Sequence, residues 1–422
     1  MVDVVTAFML IGAIIFTGFL GMTFFERTGI PDILILMLIG ALIGPVFKVV
    51  ETSAFIGVAP FFASLALIIL LFEGGMSLNI HKIFARLTRA ASFTALVFVL
   101  ELILGTLAIH FLFGWEWLYA LLLAAAATGT SGPIVIPLLQ RIRTSEDARI
   151  ILDLEAALTD ALTIVAALTV LQIISSKTVD LGMTANSLAA AFSIAAVFGA
   201  IVGFVWLRFL HSFKGKPFGY LLTLAVAFIL YAAVEGVKGN GAIATFVFGI
   251  LLGNSAELSR FFQLKEPLVI DETIKHFQAE VGFFVRTFFF VYIGLLIQPS
   301  LFASPYLLVA LVVLCSIALS RFTAVRVLMK KAGEGERFLL NAMMPRGLAA
   351  AVLITLPASS GVKIDGFSEA LLLLLLFSNV VTTIGVFWYE RNYGASFPKP
   401  PAQKVQSSET ASRRSPRVLK VK

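Results

Sequence analysis

Long apolar runs separated by short polar breaks dominate the chain. A helix needs about 20 apolar residues to cross a bilayer core. The runs predict about thirteen spans, near residues 4–25, 31–50, 60–78, 90–113, 117–140, 148–175, 186–210, 219–236, 241–255, 280–297, 304–329, 338–357 and 367–388. The ninth is the shortest. No stretch between them is long enough for a soluble domain. An odd count puts the termini on opposite sides of the membrane.

Two runs carry interruptions. Ala127-Thr-Gly-Thr-Ser-Gly-Pro133 lies near the middle of the fifth span, and Met344-Pro-Arg-Gly347 interrupts the twelfth. Glycine and proline are poor in a helix interior. Non-helical backbone at membrane depth survives only where protein buries it or it lines a cavity. The breaks fall at corresponding positions of spans 1–6 and 8–13, with the seventh as linker. An odd linker inverts one half relative to the other, so the topology implies two inverted six-helix repeats, although no residue-level repeat is visible. Paired breaks of this kind point to a transporter site. Their freed carbonyls and hydroxyls can ligate a cation.

The sixth run adds Asp153, Glu155 and Asp160. A charged group in mid-membrane costs roughly 2.5–3.5 kcal/mol on insertion scales, so retained carboxylates are expected to bind a proton or cation. Asp160 lies twelve residues beyond Ala148, about 18 Å at 1.5 Å per residue, which is mid-depth. Glu155 is roughly 10 Å in, and Asp153 is near the interface. Glu155 and Thr159 share a helix face. Asp160 is rotated about 100° from Thr159, so one ligand need not meet Glu155 and Asp160 equally. Arg286 and Arg346 keep their protons and should each face a carboxylate or a cavity. Glu73 suits a helix-end or ion-pair role equally well, whereas Glu101 and Glu280 suit packing or interface roles. Gly40/Gly44, Gly199/Gly203 and Gly249/Gly253 have GxxxG spacing, a weak pointer to dimer faces.

Composition agrees. The 422 residues are 59% hydrophobic and only 14% charged, with mean hydropathy +0.97. Soluble domains carry about 25% charged residues. Most of the formal +7 charge sits in residues 395–422, a proline- and serine-containing tail whose composition predicts disorder. The excess therefore does not mark a nucleic-acid surface. The domain plan is a membrane domain over 1–394 followed by this basic tail. With the amino terminus outside, 26 Lys and Arg fall on the cytoplasmic side, Arg321 counted among them, against four outside (Lys48, Lys177, Lys238 and Lys363). The positive-inside rule then predicts an external amino terminus and a cytoplasmic carboxyl terminus. The single cysteine, Cys315, excludes an intrachain disulfide, and the four histidines lack ligand spacing. Without a phosphate-binding loop, ATP drive is not expected, nor is a cofactor or an enzymatic reaction.

In order, Gly29-Ile-Pro31, Gly40 to Pro45, Leu71-Phe-Glu-Gly-Gly75, Thr130-Ser-Gly-Pro133, Glu155-x-x-x-Thr-Asp160, Gly241-Ala-Ile-Ala with Gly249, Arg286-Thr-Phe-Phe-Phe and Pro345-Arg-Gly347 run through the chain. Each is weak alone. Together they resemble the monovalent cation:proton antiporter superfamily, particularly its NhaP-type sodium/proton antiporters, over roughly residues 4–390. The resemblance implies an all-α polytopic membrane protein with crossed broken helices, a dimerisation domain and elevator-like alternating access. It implies that Asp160 binds cation or proton, that Glu155 pairs with Arg346 or helps the site indirectly, and that Thr130 offers backbone and hydroxyl oxygens. The chain departs from the pattern at Ser131 (usually Asp), Ala156 (commonly Ser) and Thr159 (Asn or Asp), which puts ion identity in doubt.

The expected function is electroneutral Na⁺/H⁺ exchange in the cell membrane. Asp160 and Thr130 would hold the cation, with Glu155, Ser131 and Thr159 around them and Arg346, Arg286 and Glu73 as buried charge partners. The expected partners are a monovalent cation, the proton, lipid and a second copy of the chain, and not nucleic acid. K⁺/H⁺ exchange, a cation channel and a non-transporting sensor remain the alternatives.

Overall fold

A computed structural model describes residues 4–28, 30–48, 59–77, 87–176, 181–211, 219–261 and 272–397. The regular structure in these residues is helical. In chain order the helices are α1 (Val4–Thr28), α2 (Asp32–Ala41, continued by a π-helical turn), α3 (Ala59–Ser77), α4 (Leu87–Phe113), α5 (Trp117–Ala127), α6 (Gly132–Arg141), α7 (Glu146–Ser176) and α8 (Leu181–His211). They continue as α9 (Gly219–Gly236), α10 (Gly241–Gly253), α11 (Ser255–Phe261), α12 (Glu272–Leu295), α13 (Tyr306–Leu328), α14 (Glu334–Ala342), α15 (Leu348–Ser359) and α16 (Phe367–Asn392).

Every apolar run predicted as a span carries helix. Seven segments are long and apolar enough to cross a membrane, and five shorter apolar helices accompany them among the described residues. Large side chains such as Phe16, Phe111, Ile229 and Phe387 stay exposed on the outer surface, as a hydrocarbon solvent allows. From residue 398 the basic tail lies outside the described residues.

Glycine sets the closest helix contacts. A Cβ on Gly40 would strike the Val291 carbonyl and lie 2.8 Å from the Gly294 Cα, so α2 and α12 meet backbone to backbone. Likewise a Cβ on Gly249 would strike the Phe72 carbonyl, bringing α10 against α3. Gly199 and Gly203 of α8 press on Val247 and Leu251 of α10. The three GxxxG spacings, a weak pointer to dimer faces in the sequence, are thus used to pack helices within the chain. Small residues let backbones approach, and dispersion replaces the hydrophobic drive that lipid removes.

Both predicted interruptions are real. Between α5 and α6 the chain leaves the helix over Thr128–Ser131, and between α14 and α15 over Met343–Gly347. The two breaks touch: the Ser131 amide donates to the Pro345 carbonyl at 2.9 Å. Helix α7 flanks the first break and α16 the second, and α4 and α13 pack on one another beside them.

Candidate functional site

The crossing frees backbone groups that helices would have satisfied, and each must find a partner at membrane depth. The helix that follows each break supplies them. From α7, the Thr159 hydroxyl accepts from the Thr130 amide at 2.9 Å, and the Thr163 hydroxyl donates to the Thr128 carbonyl at 2.6 Å. From α16, Ser378 Oγ accepts from the Arg346 amide at 3.2 Å, Asn379 Nδ2 donates to the Arg346 carbonyl at 2.8 Å, and Thr382 Oγ1 accepts from the Met344 amide at 3.3 Å. Gly129 turns the first break with φ +92°, and a Cβ there would collide with the Thr163 hydroxyl. Only glycine adopts that backbone without strain.

Two buried ion pairs frame the crossing. Glu155 and Arg321 are both fully enclosed. Arg321 reaches the carboxylate with two nitrogens, Nη2 to Oε2 at 3.0 Å and Nη1 to Oε1, while its Nε donates to the Leu340 carbonyl at 2.9 Å. The Thr130 hydroxyl donates to Glu155 Oε1 at 2.8 Å. The second pair joins Arg346 Nη2 to Glu101 Oε1 at 2.9 Å. Arg346 Nη1 also donates to the Gly129 carbonyl, and the Gly129 amide donates to Glu101 Oε2 at 3.3 Å. The guanidinium of one broken helix thereby clamps the backbone of the other.

This geometry corrects the pairing that the resemblance implied. Glu155 pairs with Arg321, not Arg346, because its helix face points at α13. Arg346 does face a carboxylate, as a permanently charged buried group should, but that carboxylate is Glu101, for which the sequence suggested a packing or interface role. Arg321 was counted among cytoplasmic charges and is instead buried in α13. The available signals were faint: an arginine inside an apolar run at Leu319-Ser-Arg321-Phe, and Ser378, Asn379 and Thr382 at helical spacing in an otherwise leucine-rich span.

Asp160 stands apart from both pairs. It projects from a different face of α7 than Glu155. The amide of Gly132, the first residue of α6, faces its carboxylate, placing a negative charge at a helix N-terminus where the dipole favours it. Among the described residues no basic side chain lies within ion-pair distance of it. Ser131, the residue before that amide, is buried with its hydroxyl unpartnered and set against Gly347. Thr130 and Thr159 commit their hydroxyls to the crossing: Thr159 accepts from the Thr130 amide and donates to the Glu155 carbonyl at 2.8 Å.

Glu73 of α3 lies within electrostatic range of both Asp160 and Arg286. Arg286 meets a carboxylate that the sequence did not single out, Asp32 at the start of α2, with 3.7 Å between Nη2 and Oδ2. Asp153, expected near the interface, is partly buried on α7.

The molecule therefore holds one carboxylate at a helix N-terminus beside two touching breaks, while Glu101 and Glu155 are each paired with an arginine. Known proteins show the same arrangement of helices. The sodium proton antiporter MjNhaP1 from Methanocaldococcus jannaschii, solved at pH 8, superposes with TM-score 0.72 at 21% identity, covering 91% of this chain and 95% of that one. In sequence, the chain is 24% identical to Na⁺/H⁺ antiporter 1 of the same organism over 350 residues, 78% of each protein. It is also 24% identical to the K⁺/H⁺ antiporter NhaP of Alkalimonas amylolytica over 305 residues, 69% of this chain. The chain spans about half the length of that second relative (50%). The match to the family described as "Sodium/hydrogen exchanger, transmembrane" runs from residue 11 to 390, and the chain belongs to that family of transporters.

Proposed function

We propose that the chain exchanges a monovalent cation for a proton by alternating access, with the two competing for Asp160. The observation that carries this reading is the contrast among the acids around the breaks. Glu101 and Glu155 are buried and each neutralised by an arginine, whereas Asp160 is partly exposed and, among the described residues, has no arginine within ion-pair distance, so it takes its countercharge from outside. A bare carboxylate is what the bilayer penalises. The site therefore moves protonated or cation-bound, and that requirement couples the two fluxes.

The cation would sit between Asp160, the Thr130 carbonyl and the Ser131 hydroxyl. Thr159 and the hydroxyl of Thr130 hold the crossing in shape instead of ligating. Glu155, with Arg321, fixes α7 against α13 and helps the site indirectly. About thirteen spans arranged as two inverted six-helix units, with an external amino terminus and a cytoplasmic carboxyl terminus, provide alternating access in the cell membrane of a homodimer. Thr159 next to Asp160 adds no second charge. One positive charge is then exchanged for another, and transport is electroneutral.

Na⁺ is the first reading for the cation. K⁺ is the second, favoured by Ser131: a neutral hydroxyl at the crossing weakens the field on the ion and suits one that sheds its water more readily. Proteoliposomes carrying an imposed pH gradient test both. Addition of Na⁺, Li⁺ or K⁺ should dissipate the gradient with one clear preference, and at a rate that an imposed membrane potential does not alter. Asp160→Asn should abolish exchange. Substantial residual exchange would remove Asp160 from this role.

A further inference from the structure

Arg286 of α12 takes part in neither of the two buried ion pairs. Its surroundings are unlike those of Arg321 and Arg346. Those two are sealed, with hydrogen-bonded carboxylates at 3.0 Å and 2.9 Å. Arg286 is 21% exposed and lies 3.7 Å from Asp32, and its Nε, like that of Arg346, has no hydrogen-bond partner. At 3.7 Å the contact is an ion pair but not a hydrogen bond.

A second carboxylate competes for it. A Cβ built at Gly282 would lie 2.9 Å from Glu73 Oε2, so the Glu73 carboxylate rests on α12 at Gly282. Gly282 is four residues before Arg286, one helical turn along the same face. Glu73 acts electrostatically on Arg286 and, in the other direction, on Asp160. The residue after Glu73 meets the residue after Asp160, since a Cβ on Gly74 would lie 3.9 Å from the Ala161 Cβ, so the charges are linked in the sequence Asp32, Arg286, Glu73, Asp160. One guanidinium thus stands between two acids and is fully satisfied by neither. The acid beyond it borders the proposed transport site.

We infer that Arg286 is a tethered cation that competes with the transported ion for the negative field of Glu73 and Asp160, and that Asp32 sets the strength of this competition by holding it back. With a cation or proton at Asp160, Glu73 has less need of Arg286, which settles on Asp32. With the site empty, two neighbouring carboxylates draw Arg286 toward Glu73 and stabilise the empty state. Arg286 is a positioning residue: it acts on the ion through Glu73. The inference rests on Asp160 being the transport carboxylate.

The test uses the full chain in proteoliposomes and reads the half-saturating concentration of the preferred cation separately from the maximal rate. Asp32→Asn releases Arg286 toward Glu73 and should raise that concentration, by about fivefold or more if the coupling reaches the usual range between linked sites. Arg286→Gln should lower it. In Asp32→Asn with Arg286→Gln the concentration should match that of Arg286→Gln alone, since Asp32 acts only through Arg286. Arg286→Lys keeps the charge and should stay near the unmodified protein. A cation-dependent rise in melting temperature reports the same affinities in variants that transport poorly.

If Asp32→Asn lowers the maximal rate and leaves the half-saturating concentration unchanged, the pair is only structural and the inference is overturned. Additive effects in the double variant overturn it too. Asp160→Asn separates the two failures. If that variant still exchanges ions, the site reading falls. If it is inactive while Asp32→Asn has unchanged affinity, only the role of Arg286 falls.

Discussion

The two sides of helix α7 use carboxylates in opposite ways. On one side Glu155 is enclosed with Arg321 and the Thr130 hydroxyl, every interaction made within the protein. On the other, Asp160 faces a backbone amide and, among the described residues, no arginine within ion-pair distance. The first arrangement is rigid because breaking a buried pair leaves a bare charge. The second leaves its countercharge to be supplied from outside, as the proposed exchange requires. Five residues along one helix therefore separate a paired acid from the acid proposed for transport, and what differs is the neighbouring element each face meets.

Removing one charge from each side should give opposite phenotypes. The largest effect is expected from Asp160→Asn: exchange is lost while the melting temperature in detergent holds or rises, since a charge without an ion-pair partner has been removed. A variant that unfolds instead would place Asp160 in the structural class. Next, Arg321→Met strands Glu155 and should cost about 3–5 kcal/mol of stability, seen as a large drop in melting temperature. Adding Glu155→Gln should recover much of that loss because no unpaired charge remains. Failure of the double variant to recover would mean that shape, not charge balance, dominates there.

Smaller effects probe the frame around both acids. Gly129→Ala forces a side chain into a left-handed backbone against the Thr163 hydroxyl and should cost about 1–3 kcal/mol. Thr163→Val removes only the bond to the Thr128 carbonyl. It should cost about 1–3 kcal/mol for a buried acceptor left unpaired, with the cation preference unchanged. A shift in preference from Thr163→Val would show that the break itself contributes to ion selection.

Much of this frame can be read along the chain. The apolar runs coincide with helices because span length and hydropathy are local properties. The two breaks were legible because glycine and proline act on their own backbone. The resemblance, carried by short motifs in order, agreed with the family match. Partner choice was not legible. The resemblance allowed Glu155 to pair with Arg346, yet α7 turns Glu155 toward α13, and α4 brings Glu101 to Arg346 from 245 residues away in the chain. Glu101 looked like a packing residue because an acid in a long apolar helix carries no mark of what it faces. Asp32 sits at a helix start, where an acid has an ordinary explanation, so nothing in the sequence marks it as a partner of Arg286.

The chain by itself determined that this is a helical membrane protein with two broken spans and an acidic helix between them, since those properties follow from the composition of each segment against a hydrocarbon solvent. Tertiary structure alone decided which carboxylate is neutralised and which stays open. A charge's fate in a bilayer depends on its nearest countercharge, and the helices supplying or withholding it are distant in sequence. GxxxG spacings made the same point in apolar terms: the sequence marks where backbones can meet closely, and only the packed bundle settles that they meet within one chain.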